Sequence, residues 1–163
     1  MEFREALPDD AHAIQRVARH SWHEAYDSII GKEAVEEKIE EWYNRDTLQD
    51  SIEREKTVMF VAVADDVVGF AQGGPSEDGP ADASLWRIYV LPAYWGEEIG
   101  TTLLNRICSA LKARGHNAIW AAVMAENDVG RAFYAKHGFE SHERRTVELA
   151  GQKVTEVIVR KEL

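Results

Sequence analysis

The sequence predicts a mixed α/β fold: a mostly antiparallel sheet with one parallel pair near its centre and helices on both faces. Three observations carry this. Segments with apolar residues at every second position alternate with segments of helical period between residues 85 and 136. Strand-like pairs flank that stretch on both sides. The 163 residues, 45% hydrophobic and 29% charged, are ordinary globular composition. They are expected to form one domain, residues 1–163, that buries roughly 70% of its unfolded surface without disulfides.

Residues 1–5 read as a first strand, with Met1, Phe3 and Glu5 on one face. Pro8-Asp9-Asp10 is a helix start, because acids sit well at the positive end of a helix dipole. Ile14, Val17, Ala18, Ser21 and Trp22 follow at helical spacing and make one apolar face until Gly31 breaks the helix. A second helix begins near Glu33 with Val35, Ile39, Trp42 and Tyr43 inward, and continues or restarts through Leu48 and Ile52. The period then becomes two. Residues 57–64 and 67–72 read as strands joined at Asp65-Asp66. Residues 73–81, rich in Gly, Pro and acids, read as a loop. Residues 85–91 are a third apolar strand closed by Pro92. Residues 100–113 are a helix with Leu103, Leu104, Ile107, Cys108 and Leu111 on one face. Residues 118–124 are a strand, residues 127–136 a short helix, and residues 139–148 and 153–161 a closing hairpin around Gly151. The strands at 85–91 and 118–124 are expected to run parallel through a right-handed crossover, within a sheet of six to seven strands.

Acidic residues outnumber basic ones 29 to 19, a net charge of −10. That argues against general nucleic-acid binding, which needs a basic surface. It favours cationic partners or a high-salt cytoplasm, and Arg outnumbers Lys 12 to 7; a merely acidic soluble protein fits as well. The longest apolar run, residues 58–64, is far short of the roughly 20 residues of a membrane helix, so no membrane is expected. The first residues carry no secretory pattern. The single Cys108 fits a reducing interior, so a cytoplasmic location is expected. His20 and His23 lack a third ligand, so no metal is expected.

Two segments carry chemistry. In Ile88-Tyr89-Val90-Leu91-Pro92-Ala93-Tyr94-Trp95-Gly96-Glu97-Glu98-Ile99-Gly100-Thr101, a strand runs into a glycine-containing turn that opens a helix. Such a turn leaves backbone N–H groups unpaired beside the positive end of the dipole, which suits a phosphate or pyrophosphate. Neither Gly-Lys-Ser/Thr nor G-x-G-x-x-G is present. On spacing alone, an ordinary strand–turn–helix connection fits as well. In the second segment Asn127 is a good helix cap, and Phe133 and Tyr134 sit late in the helix before Gly138.

Together these segments resemble the GNAT superfamily, the acetyl-CoA-dependent N-acetyltransferases. The likeness is most specific in Val90-x-Pro92-x-x-x-Gly96-x-x-Ile99-Gly100-x-x-Leu103-Leu104 and in Asn127-x-x-x-x-x-Phe133-Tyr134-x-Lys136-x-Gly138-Phe139. The opening, Arg4-Glu5-Ala6 to Pro8-Asp9-Asp10 and then Ser21-Trp22-x-x-Ala25-Tyr26, is also similar to many members. Two positions depart from the family's Arg/Gln-x-x-Gly-x-Gly/Ala loop: Trp95 replaces a cation, and Glu98 puts a carboxylate where glycine usually stands.

The resemblance implies a GNAT fold whose central parallel strands splay apart, and transfer of acetyl from acetyl-CoA to a primary amine of a small molecule or protein N-terminus. Main-chain groups of Ile88, Tyr89 and Val90 would pair with the pantetheine arm. The N–H groups of Gly96, Glu97, Glu98, Ile99, Gly100 and Thr101 would hold the pyrophosphate, with Trp95 beside them. The Val90 N–H would polarise the thioester carbonyl. Tyr134 matches the general acid, since a phenol with pKa near 10 keeps its proton at neutral pH; packing against the cofactor is its competing role. Phe133 and Asn127 would line the cofactor site, Asn127 having a plain helix cap as its other role. Trp22 and Tyr26 would line the acceptor pocket, with core packing the competing role for Trp22. No general base is evident; Asp82 and Glu24 are candidates, each also read as a solvated surface acid. The alternative is an acyl-CoA-binding sensor with little turnover, motivated by Glu98 and Trp95; a donor such as succinyl-CoA is a further variant. A cationic acceptor suits the acidic surface, and the pairing habits of the family leave a homodimer open.

Overall fold

The apolar runs become the strands of a seven-stranded sheet in the computed structural model, which describes residues 1–163. The strands are β1 (Glu2–Glu5), β2 (Val58–Ala64), β3 (Asp66–Pro75), β4 (Ala83–Val90), β5 (Ala118–Met124), β6 (Glu140–Leu149) and β7 (Gln152–Glu162). Their order across the sheet is β1-β2-β3-β4-β5-β7-β6, and only β4 and β5 run parallel. The helices are α1 (Ala11–Ile30), α2 (Lys32–Trp42), α3 (Arg45–Glu53), α4 (Ile99–Ala113) and α5 (Asp128–Lys136). No helix is long and apolar enough to cross a membrane.

Successive strand residues point to opposite faces, so a sheet covered on both sides needs apolar residues at nearly every position of its inner strands. That is the composition of β2, where Phe60 joins the core under α4 and Val61 joins the core under α1–α3. Leu103, Leu104, Ile107 and Leu111 of α4 close the first core. Ile14, Val17, Val35, Ile39 and Leu48 close the second, with Phe70 and Met124 from the sheet.

The central pair is incomplete. β4 and β5 pair only at Ala83 with Ile119 and at Ser84 with Trp120. Just beyond, Gly73 of β3 faces Leu85 while Gln72 faces Arg87, which leaves Trp86 as an extra residue on β4. A bulge bends its strand and increases its twist. From Trp86 onward the two strands part, as the resemblance implied.

Of the two alternatives for the second helix, the restart holds: α2 stops at Trp42, and Asn44 caps a separate α3 by accepting the Thr47 N–H (2.9 Å). Two local expectations change. Trp42, expected inward, is 37% exposed. Residues 73–75, read as loop, extend β3 instead and pair with Leu85, Ser84 and Ala83. A Cβ on Gly73 would lie 2.9 Å from the Ser84 carbonyl oxygen, so the glycine read as a loop signal is what lets β4 approach.

Candidate active site

The parting of β4 and β5 exposes a row of main-chain groups. Leu91 N–H donates to Val68 O (2.9 Å), and the antiparallel register runs on through Tyr89 with Phe70 and Arg87 with Gln72. In an antiparallel ladder the hydrogen-bonded pairs alternate. Tyr89 and Arg87 therefore spend their main-chain groups on β3, while Ile88 and Val90 turn theirs toward the gap. The Val90 carbonyl bears this out, because it accepts the indole N–H of Trp95 (2.9 Å) and a longer bond from Ser21 Oγ (3.4 Å).

Past Val90 the chain makes a one-turn 3₁₀ helix at Pro92–Tyr94, then a loop into α4. Gly96 has φ 85° and Glu98 φ 64°, left-handed conformations that bend the loop back on itself. Trp95 N–H bonds Pro92 O and Thr102 N–H bonds Glu98 O, but none of the six N–H groups from Gly96 to Thr101 meets a protein acceptor. All six lie in the loop and first turn of α4, at the positive end of its dipole. The Glu98 carboxylate is solvent-exposed and sits 3.5 Å from Lys136 Nζ. A hydrogen bond with Thr101 and the charge of Lys136 hold it below the usual carboxylate range.

Gap and loop together bound a cavity of about 500 Å³. β4 from Leu85 to Val90 and the loop from Trp95 to Thr101 (Glu97 excepted) form one wall; Val123, Asn127, Phe133 and Tyr134 form the other. Tyr134 is 8% exposed, packs against Phe139 and Phe133, and its hydroxyl has no hydrogen-bond partner in the protein. Burial raises its pKa well above the ordinary phenol value, so it keeps its proton. Asn127 caps α5, its Oδ1 accepting the Gly130 N–H (2.9 Å) while its amide faces the Tyr26 hydroxyl (3.5 Å).

A second cavity, about 460 Å³, opens on the α1–α3 side of the sheet. It shares Tyr26, Leu85, Trp86, Arg87, Tyr89 and Ala122 with the first, so the two spaces meet where β4 and β5 diverge. Its walls are aromatic: Trp22, Trp42, Tyr43, Trp86 and Trp120. Trp22 stacks edge-on with Tyr26 (4.7 Å) and donates its indole N–H to Tyr43 (3.3 Å). Burial pushes Tyr43 up to about 12 and raises Tyr26 and Tyr89 as well, so these three hydroxyls also stay protonated.

The expected residues therefore divide between the two spaces. Ile88, Val90, Trp95, Gly96, Glu98, Ile99, Gly100, Thr101, Asn127, Phe133 and Tyr134 line the first cavity. Tyr89 and Tyr26 line both, and Trp22, 4% exposed, lines the second while packing in the core. Glu97 lines neither. Of the acids considered as a base, exposed Glu24 lines the first cavity. Asp82 lines neither: at the paired end of β4 and β5 its carboxylate accepts the Ala118 and Asn117 N–H groups (3.0 Å each), and these bonds lower its pKa. Arg87, which lines both cavities, and Glu156 in the second were not anticipated from the sequence. The available signal was a lone cation in an apolar strand.

Residues 15–139 match the sequence model of the Acetyltransferase (GNAT) family. The chain is 32% identical over 145 residues to a spermidine N(1)-acetyltransferase of Thermoplasma acidophilum, covering 86% of this chain and 88% of that protein. In three dimensions it resembles the PaiA N-acetyltransferase of Thermoplasma acidophilum in complex with coenzyme A, with a TM-score of 0.86, 28% identity, and coverage of 99% and 98% of the two chains. The ribosomal-protein-S18-alanine N-acetyltransferase of Escherichia coli shares the fold at 18% identity, with a TM-score of 0.72 over 99% and 92% of the chains.

Proposed function

The chain belongs to the GNAT family of acetyltransferases, and from that premise we propose that it moves the acetyl group of acetyl-CoA to a primary amine. The donor enters the gap between β4 and β5, and the acceptor arrives from the aromatic cavity. The observation that carries this is the set of unclaimed donors: six consecutive N–H groups from Gly96 to Thr101, beside the edge N–H groups of Ile88 and Val90. Such a row fits a pyrophosphate at the helix end and amide groups along the strand edge. Glu98 does not spoil the fit, because its carboxylate lies against Lys136. That weakens the case for a donor-binding domain with little turnover.

When bound, acetyl-CoA supplies an activated acyl group: a nitrogen–carbon bond forms, the carbon–sulfur bond breaks, nitrogen gives up one proton and sulfur gains one. The Val90 N–H stabilises the charge that develops on the carbonyl oxygen. Trp95 ties the loop to the end of β4 through the Val90 carbonyl. Tyr134 presents its proton to the departing sulfur. Its raised pKa makes full transfer to a thiolate, whose acid has a pKa near 8.5, uphill. Its contribution is then a hydrogen bond that strengthens as charge gathers on sulfur, and the thiolate takes its proton from solvent. An alkylamine with a pKa near 10.4 must lose a proton before attack. Glu24, one of the exposed acids lining the first cavity, receives it through solvent.

A spermidine-like acceptor is the second reading. It is favoured by the exposed acids Glu24, Glu126 and Asp128 around the first cavity, since the Thermoplasma acidophilum relative is named for that substrate. Calorimetric titration with coenzyme A, followed by thiol release from acetyl-CoA with a panel of amines, tests the assignment. Saturable binding with amine-dependent release is expected. Binding with no release above the protein-free rate across the panel would reject it.

A further inference from the structure

We propose that the acceptor carries an anionic group, a carboxylate or a phosphate, which Arg87 binds at the floor of the aromatic cavity. This rests on the transferase reading above and specifies the substrate class of that site. Arg87 is the only basic side chain lining the cavity, and it has no acid partner. Its guanidinium lies over the Tyr43 ring (4.6 Å) and makes no hydrogen bond within the protein. One of its terminal nitrogens, Nη1, is buried with no acceptor. Buried charged donors are costly to leave unpaired, and a guanidinium offers a planar fork that matches a carboxylate or phosphate.

The one acid lining the same cavity, Glu156, is already committed to Arg145 (3.1 Å). The cavity thus offers a cation without a counter-ion and an anion that already has one, the opposite of what a polycation needs. Gln72 stands opposite Arg87 across the β3–β4 ladder, and its buried Oε1 also lacks a partner, while its Nε2 donates to Ser51 Oγ (2.6 Å). Gln72 therefore leaves Nη1 without a direct protein acceptor and open to a ligand.

Position limits the size of the acceptor. Arg87 lies three residues before Val90, about 10 Å along the strand. The acceptor should therefore be small, with its nitrogen and its anion within about 10 Å of each other and an apolar or aromatic body between them against Trp22, Trp86 and Trp120.

The test uses the whole protein and matched acceptors: para-aminomethylbenzoate, para-aminomethylphenylphosphonate, benzylamine, which lacks the anion, and spermidine. Two readouts are taken, kcat/KM by thiol release and calorimetric binding to the protein–coenzyme A complex. The anionic amines should exceed benzylamine by about 10- to 100-fold in both. The carboxylate and phosphonate arms show which anion is preferred. Arg87→Met should erase the advantage, and Arg87→Lys should restore part of it; coenzyme A titration reports whether each variant keeps the donor site. Equal binding of benzylamine and its carboxylate, a preference for spermidine, or an advantage that survives in Arg87→Met overturns the proposal. Absence of turnover with every amine, alongside Arg87-dependent binding of the anionic ones, would instead reject the transferase reading and leave the anion site standing.

Discussion

The two cavities that meet at Tyr26 and Tyr89 are made of different materials. The one between β4 and β5 is a backbone site. Its donors are N–H groups, which every residue but proline carries, and their directions follow from one strand bulge and one loop. The other is a side-chain site, whose tryptophans, Arg87 and Glu156 come from α1, α2, β4, β5 and β7. The contrast explains why a loop with Trp95 and Glu98 at unusual positions still offers the same row of donors. It also suggests where selectivity resides: the backbone site can stay constant while substitutions on the other side change the acceptor.

The largest blow to the backbone site should come from the one side-chain hydroxyl proposed for chemistry within it. Tyr134→Phe is expected to lower kcat by about 100-fold with coenzyme A affinity within twofold, measured by steady-state kinetics and titration. An unchanged kcat would reduce Tyr134 to a packing residue and leave the site wholly main-chain. Next comes Trp95→Phe, which keeps an aromatic ring, though a smaller one, and deletes the donor to Val90 O. The KM for acetyl-CoA should rise about 3- to 10-fold, with the acceptor KM unmoved, as the loss of one well-placed hydrogen bond allows. A change in the acceptor KM instead would show that the two cavities are not separable at this point.

The smallest effect probes the acceptor wall. His23 bonds Asp27 (2.6 Å) one turn on along α1 and Glu36 (2.8 Å) of α2, and the second contact joins the two helices. Burial alone would lower its pKa, but the two carboxylates carry it above the ordinary value. The fold therefore favours the charged ring. That stabilisation is complete below the unfolded pKa near 6.5 and disappears as pH rises through the higher folded value. Between about pH 6 and pH 8.5, the wild-type melting temperature should fall by about 2 °C more than that of His23→Gln. Parallel curves would remove the clasp from the account.

The backbone site was legible in the sequence because its signals are local. Residues 85–91, Pro92, Gly96 and the helical period after Gly100 lie within a few turns of one another, and each marks an element end. Asn44, a capping residue three before Thr47, was the sign that decides between a continued and a restarted helix, which the apolar period alone left open. The acceptor cavity was not legible, for two physical reasons. Its lining residues are brought together only by the full sheet order. In addition, the bulge at Trp86 shifts the alternation of β4, so counting along the strand does not reveal which face Arg87 occupies. The Gly-Gly-Pro stretch at residues 73–75 misled in the opposite sense, its glycines serving close strand approach rather than a turn.

With only two rungs joining β4 to β5, the sheet has a seam that the polypeptide leaves half zipped. A guest that pairs with the open edge would finish the zip, acting as a temporary eighth strand and bracing the molecule along with its chemistry. Heat resistance and readiness to react would then be one property, and a protein saturated with donor should be harder to melt than the same protein alone.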